Sequence, residues 1–222
     1  MPRIARGFCD GLIYHVLNRG NGRQQVFHKD GDYRGFIGLM EKAKTSHQVK
    51  VLAFCLMPSH FHFLLQPQAA GDLSKWMQWL MTSHVRRYHR HYGTSGHVWQ
   101  GRYKSFIVQE DGHLLAVVRY IEGNPVRARL VESAKRWAWS SHGERISGMS
   151  GRVLSALPLT LPINWTECVD TALTGKEIEK MRRSVNRQAP YGREGWMQKL
   201  CTDLGLEATI RERGRPRKAA KK

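Results

Sequence analysis

The order in which hydrophobic periods change over the first 150 residues constrains this chain most tightly. Apolar runs of strand length lie at Ile13–Leu17, Val49–Leu56, Phe61–Leu65 and Tyr103–Val108. Segments of this length bounded by Gly, Asn, Pro and Ser signals read as strands. Helical repeats lie between them. Phe36, Ile37, Leu39, Met40 and Ala43 recur at helical spacing from Asp32 to about Lys44. Leu73 to about Tyr92 reads as a long helix with a very basic second half, His84-Val-Arg-Arg-Tyr-His-Arg-His91. Asp111 suits the N-cap of a last helix running to about Gly123, where Asn124-Pro125 would end it. Met57-Pro58-Ser59 makes a hairpin of the second and third strands.

The resulting order is β-α-β-β-α-β-α, and its first six elements follow the split βαβ, ferredoxin-like arrangement. The expected fold is α+β: an antiparallel, RRM-like sheet with strands one and three central and helices on one face. After residue 150 comes a proline-containing linker, Leu154–Pro162. Thr174-Gly-Lys-Glu177 then forms a capping-box signature opening a basic helix to about Val185, and Arg193 to Leu204 reads as another helix stopped by Gly205. The predicted organisation is a first domain over residues 1–149, a linker and small helical extension over 150–210, and a flexible basic tail over 211–222. That tail holds seven Lys or Arg against one Glu and cannot bury a core.

Charge narrows the partners. The 222 residues carry 36 Lys and Arg against 18 Asp and Glu, a formal net charge of +18. Such an excess attracts polyanions, with nucleic acid first among them and an anionic membrane surface second. The four cysteines, Cys9, Cys55, Cys168 and Cys201, show no Cys-x-x-Cys spacing, so neither a zinc knuckle nor a disulfide framework is expected. The longest apolar run, Val51–Met57, is far too short to span a bilayer, and MPRIARGF lacks the apolar centre of a secretory signal. The expected location is the cytoplasm, in association with the bacterial nucleoid.

Three constellations can carry chemistry. His60 and His62 stand two apart on a strand and so project from one face. A co-facial imidazole pair is a natural start for a metal site, although the same spacing suits two histidines on a polar sheet surface. Tyr120 and Asn124 are four apart on the last helix, on one flank of the apolar stripe Leu114, Val117, Val118 and Ile121. Packed by that stripe, the helix would present phenol and amide to a central strand carrying the histidines. Basic and aromatic residues are interleaved in Trp99-Gln-Gly-Arg-Tyr-Lys104, where Trp99 can either stack on a base or belong to the core. The expected nucleic-acid contacts are Arg19, Arg23, Arg86, Arg87, Trp99, Arg102, Lys104, Arg119, Arg127 and, in the tail, Arg213, Arg215 and Arg217. Trp76, Trp79, Trp137 and Trp139 are assigned to the core.

Met57-Pro-Ser-His60-Phe-His62-Phe-Leu-Leu65, Val98-Trp-Gln-Gly-Arg-Tyr-Lys104 and Tyr120-Ile-Glu-Gly-Asn-Pro-Val-Arg-Ala-Arg-Leu-Val131 resemble the IS200-like transposases. Within these the chain is similar to the REP-associated tyrosine transposases, relatives linked to repeated extragenic palindromes. Tyr14-His-Val-Leu-Asn-Arg-Gly-Asn21, the stretch from Arg182 to Gly192 and Arg213-Gly-Arg-Pro-Arg-Lys218 extend the likeness over nearly the whole chain. The resemblance implies that Tyr120 is a nucleophile of the single-tyrosine, His-hydrophobic-His class. It implies His60 and His62 as ligands of Mg²⁺ or Mn²⁺, with Asn124 where the insertion-sequence branch has Gln. Typical relatives carry His-Leu where this chain has Glu122-Gly123, which leaves Glu122 as an alternative third ligand.

A phenol with an ordinary pKa of about 10 is a poor nucleophile at neutral pH. A metal acting as Lewis acid and template would compensate, and imidazole ligands favour Mn²⁺ over Mg²⁺. The expected reaction is cleavage and rejoining of hairpin-containing single-stranded DNA through a 5′-phosphotyrosine. The rivals are a non-catalytic binder on the same fold and a duplex-binding repressor, and both leave the histidine pair without a task. Monomer and dimer both remain open. Arg213-Gly-Arg-Pro-Arg-Lys218 suits a minor-groove hook, a non-specific tail or an arm folded over the substrate channel.

Overall fold

The computed structural model describes residues 7, 9–148 and 153–211, so the expectations for Arg213, Arg215, Arg217 and the tail fall outside the described residues. Four strands, β1 (Ile13–Arg19), β2 (Val49–Met57), β3 (His60–Pro67) and β4 (Lys104–Val108), form one antiparallel sheet in the order β2-β3-β1-β4. Strands one and three are central, as the split βαβ order requires. Helix α1 (Asp30–Ser46) and helix α2 (Asp72–Tyr92) follow β1 and β3. The Asp32 carboxylate accepts from the His28 and Lys29 amides, closing the start of α1, and Gly93 in the left-handed region (φ 61°) ends α2.

Each strand feeds two cores. Tyr14, Val16, Phe54, Leu56, Phe61, Phe63, Leu65 and Ile107 face α1 and α2, where they meet Phe36, Met40, Trp76, Leu80 and Trp99. The alternate residues Ile13, Ala53, Cys55, Leu64, Phe106 and Val108 face α3 (Gly112–Glu122). Helices therefore cover both sheet faces. The one-face expectation holds for α1 and α2 and fails for α3, which covers the other face. The reason lies in the strands, which are too continuously apolar to leave either face in water.

α3 starts where Asp111 caps the His113 amide at 2.8 Å. Its expected stripe, Leu114, Val117, Val118 and Ile121, is fully buried, and each such side chain contributes about 1.5–3 kcal/mol. Asn124-Pro125 does not end the helical path. Gly123 interrupts it, and one further turn, α4 (Asn124–Arg127), continues with the proline in its first turn. Of the later elements, α5 (Ser141–Ser147), α6 (Trp165–Asp170) and α7 (Gly175–Arg187) add Trp165, Val169 and Met181 to the second core or the network beside it. α8 (Glu194–Leu204) and α9 (Glu207–Ile210) close around Cys201 and Leu206 beside the first core. The sheet edges are covered from within the chain. Leu154 and Ser140 bridge β2, and Tyr191 bridges β4, which blunts both exposed edges. Among the described residues no helix is long and apolar enough to cross a membrane.

Candidate active site

The site forms where β3 passes beneath the C-terminal half of α3. His60 and His62 lie on the α3 face of the sheet, with ring centroids 5.2 Å apart. Helix packing brings the Tyr120 ring to 5.8 Å from His62. The loop after β1 fixes the turn that starts β3: the Gly20 amide donates to the Ser59 carbonyl at 2.8 Å, and the Val26 amide donates to that of Pro58 at 2.8 Å. A Cβ on Gly20 would stand 2.3 Å from the Gln24 carbonyl oxygen, so this wrap requires glycine there.

Both histidines are held through Nδ1. Ser59 Oγ lies 3.2 Å from Nδ1 of His60, and Nε2 of His15 lies 3.0 Å from Nδ1 of His62. Burial lowers His60 to about 4, with the Arg19 and Arg127 charges adding to it. Burial also drives His62 well below the usual imidazole value, helped by His15, His60, Arg127 and Arg19. At neutral pH both rings are therefore uncharged, the form in which imidazole ligates a metal. Among the described residues no three His, Cys, Asp or Glu side chains are grouped to hold a metal ion. The donors that could hold one here are the two neutral imidazoles, and the Asn124 amide oxygen is occupied by Arg127.

Asn124 follows Tyr120 by one helical turn, with its amide already engaged. Its Nδ2 donates to the Tyr120 and Ile121 carbonyls at 3.0 and 3.1 Å, and its Oδ1 accepts from the Arg127 guanidinium. The same guanidinium lies 4.2 Å from the Tyr120 ring centroid. Arg127 thus bridges phenol and amide, close enough for its charge to act on both histidines.

Glu122 is not the alternative ligand. It is fully buried, and its two carboxylate oxygens accept from Ser141 Oγ (2.6 Å), Arg145 Nε (2.9 Å), Trp165 Nε1 (2.8 Å) and the His142 ring (3.0 Å). Burial alone would raise its pKa, but the His142 bond, the Arg145 charge and the remaining donors outweigh it and hold it below the usual carboxylate value. Next to it, a Cβ on Gly123 would lie 3.1 Å from the Val169 carbonyl oxygen. The Glu122-Gly123 departure therefore docks α5 and α6 onto the end of α3. The sequence pattern gave no sign of this cluster, because its donors come from more than 18 residues downstream.

The basic residues divide sharply. Arg19, Arg102 and Lys104 are exposed and line a cleft of about 390 Å³ with Asn18, Gln100 and Asn186. Arg19 is the β-sheet partner of His60, so the cleft opens beside the histidine pair. Arg23 is exposed in the loop after β1. Arg86 and Arg87 are exposed on α2, across the sheet from the histidines. Arg119 is not a free phosphate contact. It donates to the carbonyls of Cys168 (2.6 Å), Thr171 (2.9 Å) and Ala172 (3.3 Å) and pairs with Glu177 at 3.3 Å, tying α3 to the start of α7. Trp99 is not a stacking platform either. It is 5% exposed and packs against Phe61 at 5.2 Å and Phe36 at 6.3 Å, because the apolar first core claims it. Trp76 is likewise fully buried.

Comparison with known proteins bears on this geometry. The family model described as transposase IS200 like matches residues 9–124. A Haemophilus influenzae protein described as a REP-associated tyrosine transposase is 29% identical over 152 residues, 64% of this chain and 85% of the relative. A solved structure of a REP-associated tyrosine transposase bound to a REP hairpin superposes with a TM-score of 0.57 at 17% identity, over 78% of this chain and 100% of that one, a likeness of fold. The matched segment contains β1–β4, both histidines, Tyr120 and Asn124, and the chain belongs to the IS200-like transposase family.

Proposed function

We propose that this chain is a metal-dependent transposase that cleaves and rejoins single-stranded, hairpin-bearing DNA through Tyr120. The observation that carries the reading is the approach of the Tyr120 ring to His62, one of two neutral, Nδ1-anchored histidines whose strand neighbour Arg19 lines a basic cleft. The names of the Haemophilus influenzae relative and of the hairpin-bound structure support repeated extragenic palindromes as the substrate.

In this reading His60 and His62 would hold Mg²⁺ or Mn²⁺, with their Nδ1 atoms already engaged. When bound, the ion supplies Lewis-acid polarisation of the phosphate. Asn124 Oδ1 joins the ligand set only by releasing Arg127. Arg19, Arg102 and Lys104 hold the backbone of the unpaired strand beside His60, where charge contacts dominate affinity. Tyr120 Oη forms a bond to phosphorus and the P–O3′ bond breaks. The phenol loses its proton, the departing 3′ oxygen gains one, and a 5′-phosphotyrosine remains. Attack by a free 3′-OH reverses the step, so no energy cofactor is required.

The test is a hairpin oligonucleotide with a single-stranded foot, incubated with Mn²⁺ and run on a denaturing gel. Wild type should give a covalent adduct, and Tyr120→Phe none. His60→Ala with His62→Ala should lose cleavage while keeping hairpin binding. An adduct that survives Tyr120→Phe but disappears in Tyr103→Phe would overturn the assignment. Tight hairpin binding with no cleavage by wild type in either metal would leave a binding protein only.

A further inference from the structure

His15 was not a candidate from the sequence, yet it lies at the centre of the site. It is fully buried on β1, and the register that sets Leu17 opposite His62 puts His15 on the same sheet face. Its ring lies edge to edge with that of His62 and nearly coplanar with it, centroids 5.1 Å apart and planes 10° from parallel, and stands edge-on to Tyr120 at 6.1 Å. Phe106 closes its other side at 4.7 Å. Nε2 faces Nδ1 of His62 at 3.0 Å, while Nδ1 of His15 has no hydrogen-bond partner among the described residues.

We infer that His15 is a positioning residue for the metal site, accepting the Nδ1 proton of His62 and so holding that ring with its Nε2 lone pair free for the ion. The inference rests on the metal reading above. Two proton arrangements satisfy the His15–His62 bond. In one, Nε2–H of His15 donates and His62 keeps its own proton on Nε2, where it blocks ligation. In the other, Nδ1–H of His62 donates, Nε2 of His62 is bare, and His15 carries its proton on Nδ1. Only the second binds a metal. The two differ by moving both tautomers together, with no proton gained or lost by the pair. In either arrangement Nδ1 of His15 has no partner among the described residues, and a metal on Nε2 of His62 fixes the second, with Nε2 of His15 as the acceptor. Partners of this kind orient a ligating histidine and typically change metal affinity by about 10–100-fold.

Mn²⁺ titration by calorimetry and histidine ¹⁵N spectra of the Mg²⁺-loaded and metal-free protein test this. Wild type should bind Mn²⁺, and the His60→Ala/His62→Ala variant should not. If those two bind alike, the metal reading itself fails. With that control met, His15→Phe, which keeps a buried aromatic ring but removes the acceptor, should weaken Mn²⁺ by about 10–100-fold. His15→Gln, whose Oε1 can accept from His62, should recover at least half of the loss on a logarithmic scale. His15→Phe binding within about two-fold of wild type overturns the inference, as does His15→Gln with no recovery. If His15→Phe does not fold, His15→Gln and the spectra decide. His62 should carry its proton on Nδ1 with Mg²⁺ bound, and a proton on Nε2 in the loaded protein overturns the assignment.

Discussion

The two faces of one sheet carry opposite duties in this protein. Toward α1 and α2, β3 presents Phe61, Phe63 and Leu65 to an aromatic core in which Phe61 and Phe63 stack at 4.4 Å. Toward α3, the same strand presents His60, His62 and Leu64, and the core there gives way to imidazoles, a phenol and an amide at one end. The strand's period of two lets adjacent residues serve stability and chemistry separately. Polar groups on the chemical face must then be supported by partners, since burying them unpaired is costly.

The sharpest way to break this comparison is to truncate neighbours. Phe61→Ala removes a fully buried ring and should cost about 3–5 kcal/mol in urea unfolding. His60→Ala, one residue away and half-buried, should change stability by only about 1 kcal/mol. Its cleavage of a hairpin oligonucleotide should fall by about 100-fold or more. Equal destabilisation by the two variants would mean that the faces are not divided as described.

The polar cluster behind α3 tests whether the chemical face is also a structural one. Glu122→Gln keeps the shape but leaves the Arg145 guanidinium, 9% exposed, without its buried counter-charge. Breaking such a pair from one side should cost about 3 kcal/mol or more. Thermal melts at pH 7 measure it, and a loss under about 1 kcal/mol would show that Ser141, His142 and Trp165 suffice around a neutral amide.

Strand order, central strands and the Tyr120 stripe were legible because each rests on a local period. The α3 stripe is buried as its spacing requires. The histidine pair and Tyr120 were legible as types on faces, and the split βαβ order was enough to bring them together. His15 was not, since its face meets His62 only through the β1–β3 register. Trp99 and Arg119 were misread for a related reason. An aromatic beside arginines reads the same whether it stacks on a base or fills a core. An arginine on a helix gives no sign of carbonyls about 50 residues away. Composition suggested a basic surface, and packing decided which cations remain on it.

His84 probes the supposedly all-apolar face. It is 3% exposed among Phe36, Trp99 and Phe27, with its Nδ1 unpartnered among the described residues. Burial pushes it down to about 3 from 6.5, Asp32 opposes that and Arg87 adds to it. The unfolded chain therefore binds a proton below pH 6.5 that the folded chain refuses until about pH 3. Stability falls as pH drops through that window, by up to about 3 kcal/mol between pH 6.5 and 4 from this group. Urea midpoints across the window should slope less in His84→Phe, and an unchanged slope would place the acid sensitivity on the α3 face instead.

The smallest effect concerns Arg127, where the two demands on the chemical face compete directly. Its guanidinium occupies Asn124 Oδ1 and covers the Tyr120 ring. If Asn124 is the third ligand, the arginine must withdraw before the amide can join the metal. Arg127→Ala should then bind Mn²⁺ about 3–10-fold more tightly, the worth of one hydrogen bond of roughly 1 kcal/mol. Loss of a nearby positive charge would also tighten binding, without any role for Asn124. A double-mutant cycle separates the two, since the gain from charge persists in an Asn124→Ala background and the gain from competition vanishes there. Arg127→Ala should at the same time weaken hairpin binding and flatten its salt dependence by up to about 0.9 in slope, as expected for one lost phosphate contact. A full gain in the Asn124→Ala background would remove Asn124 from the ligand set and leave Arg127 as a phosphate contact alone.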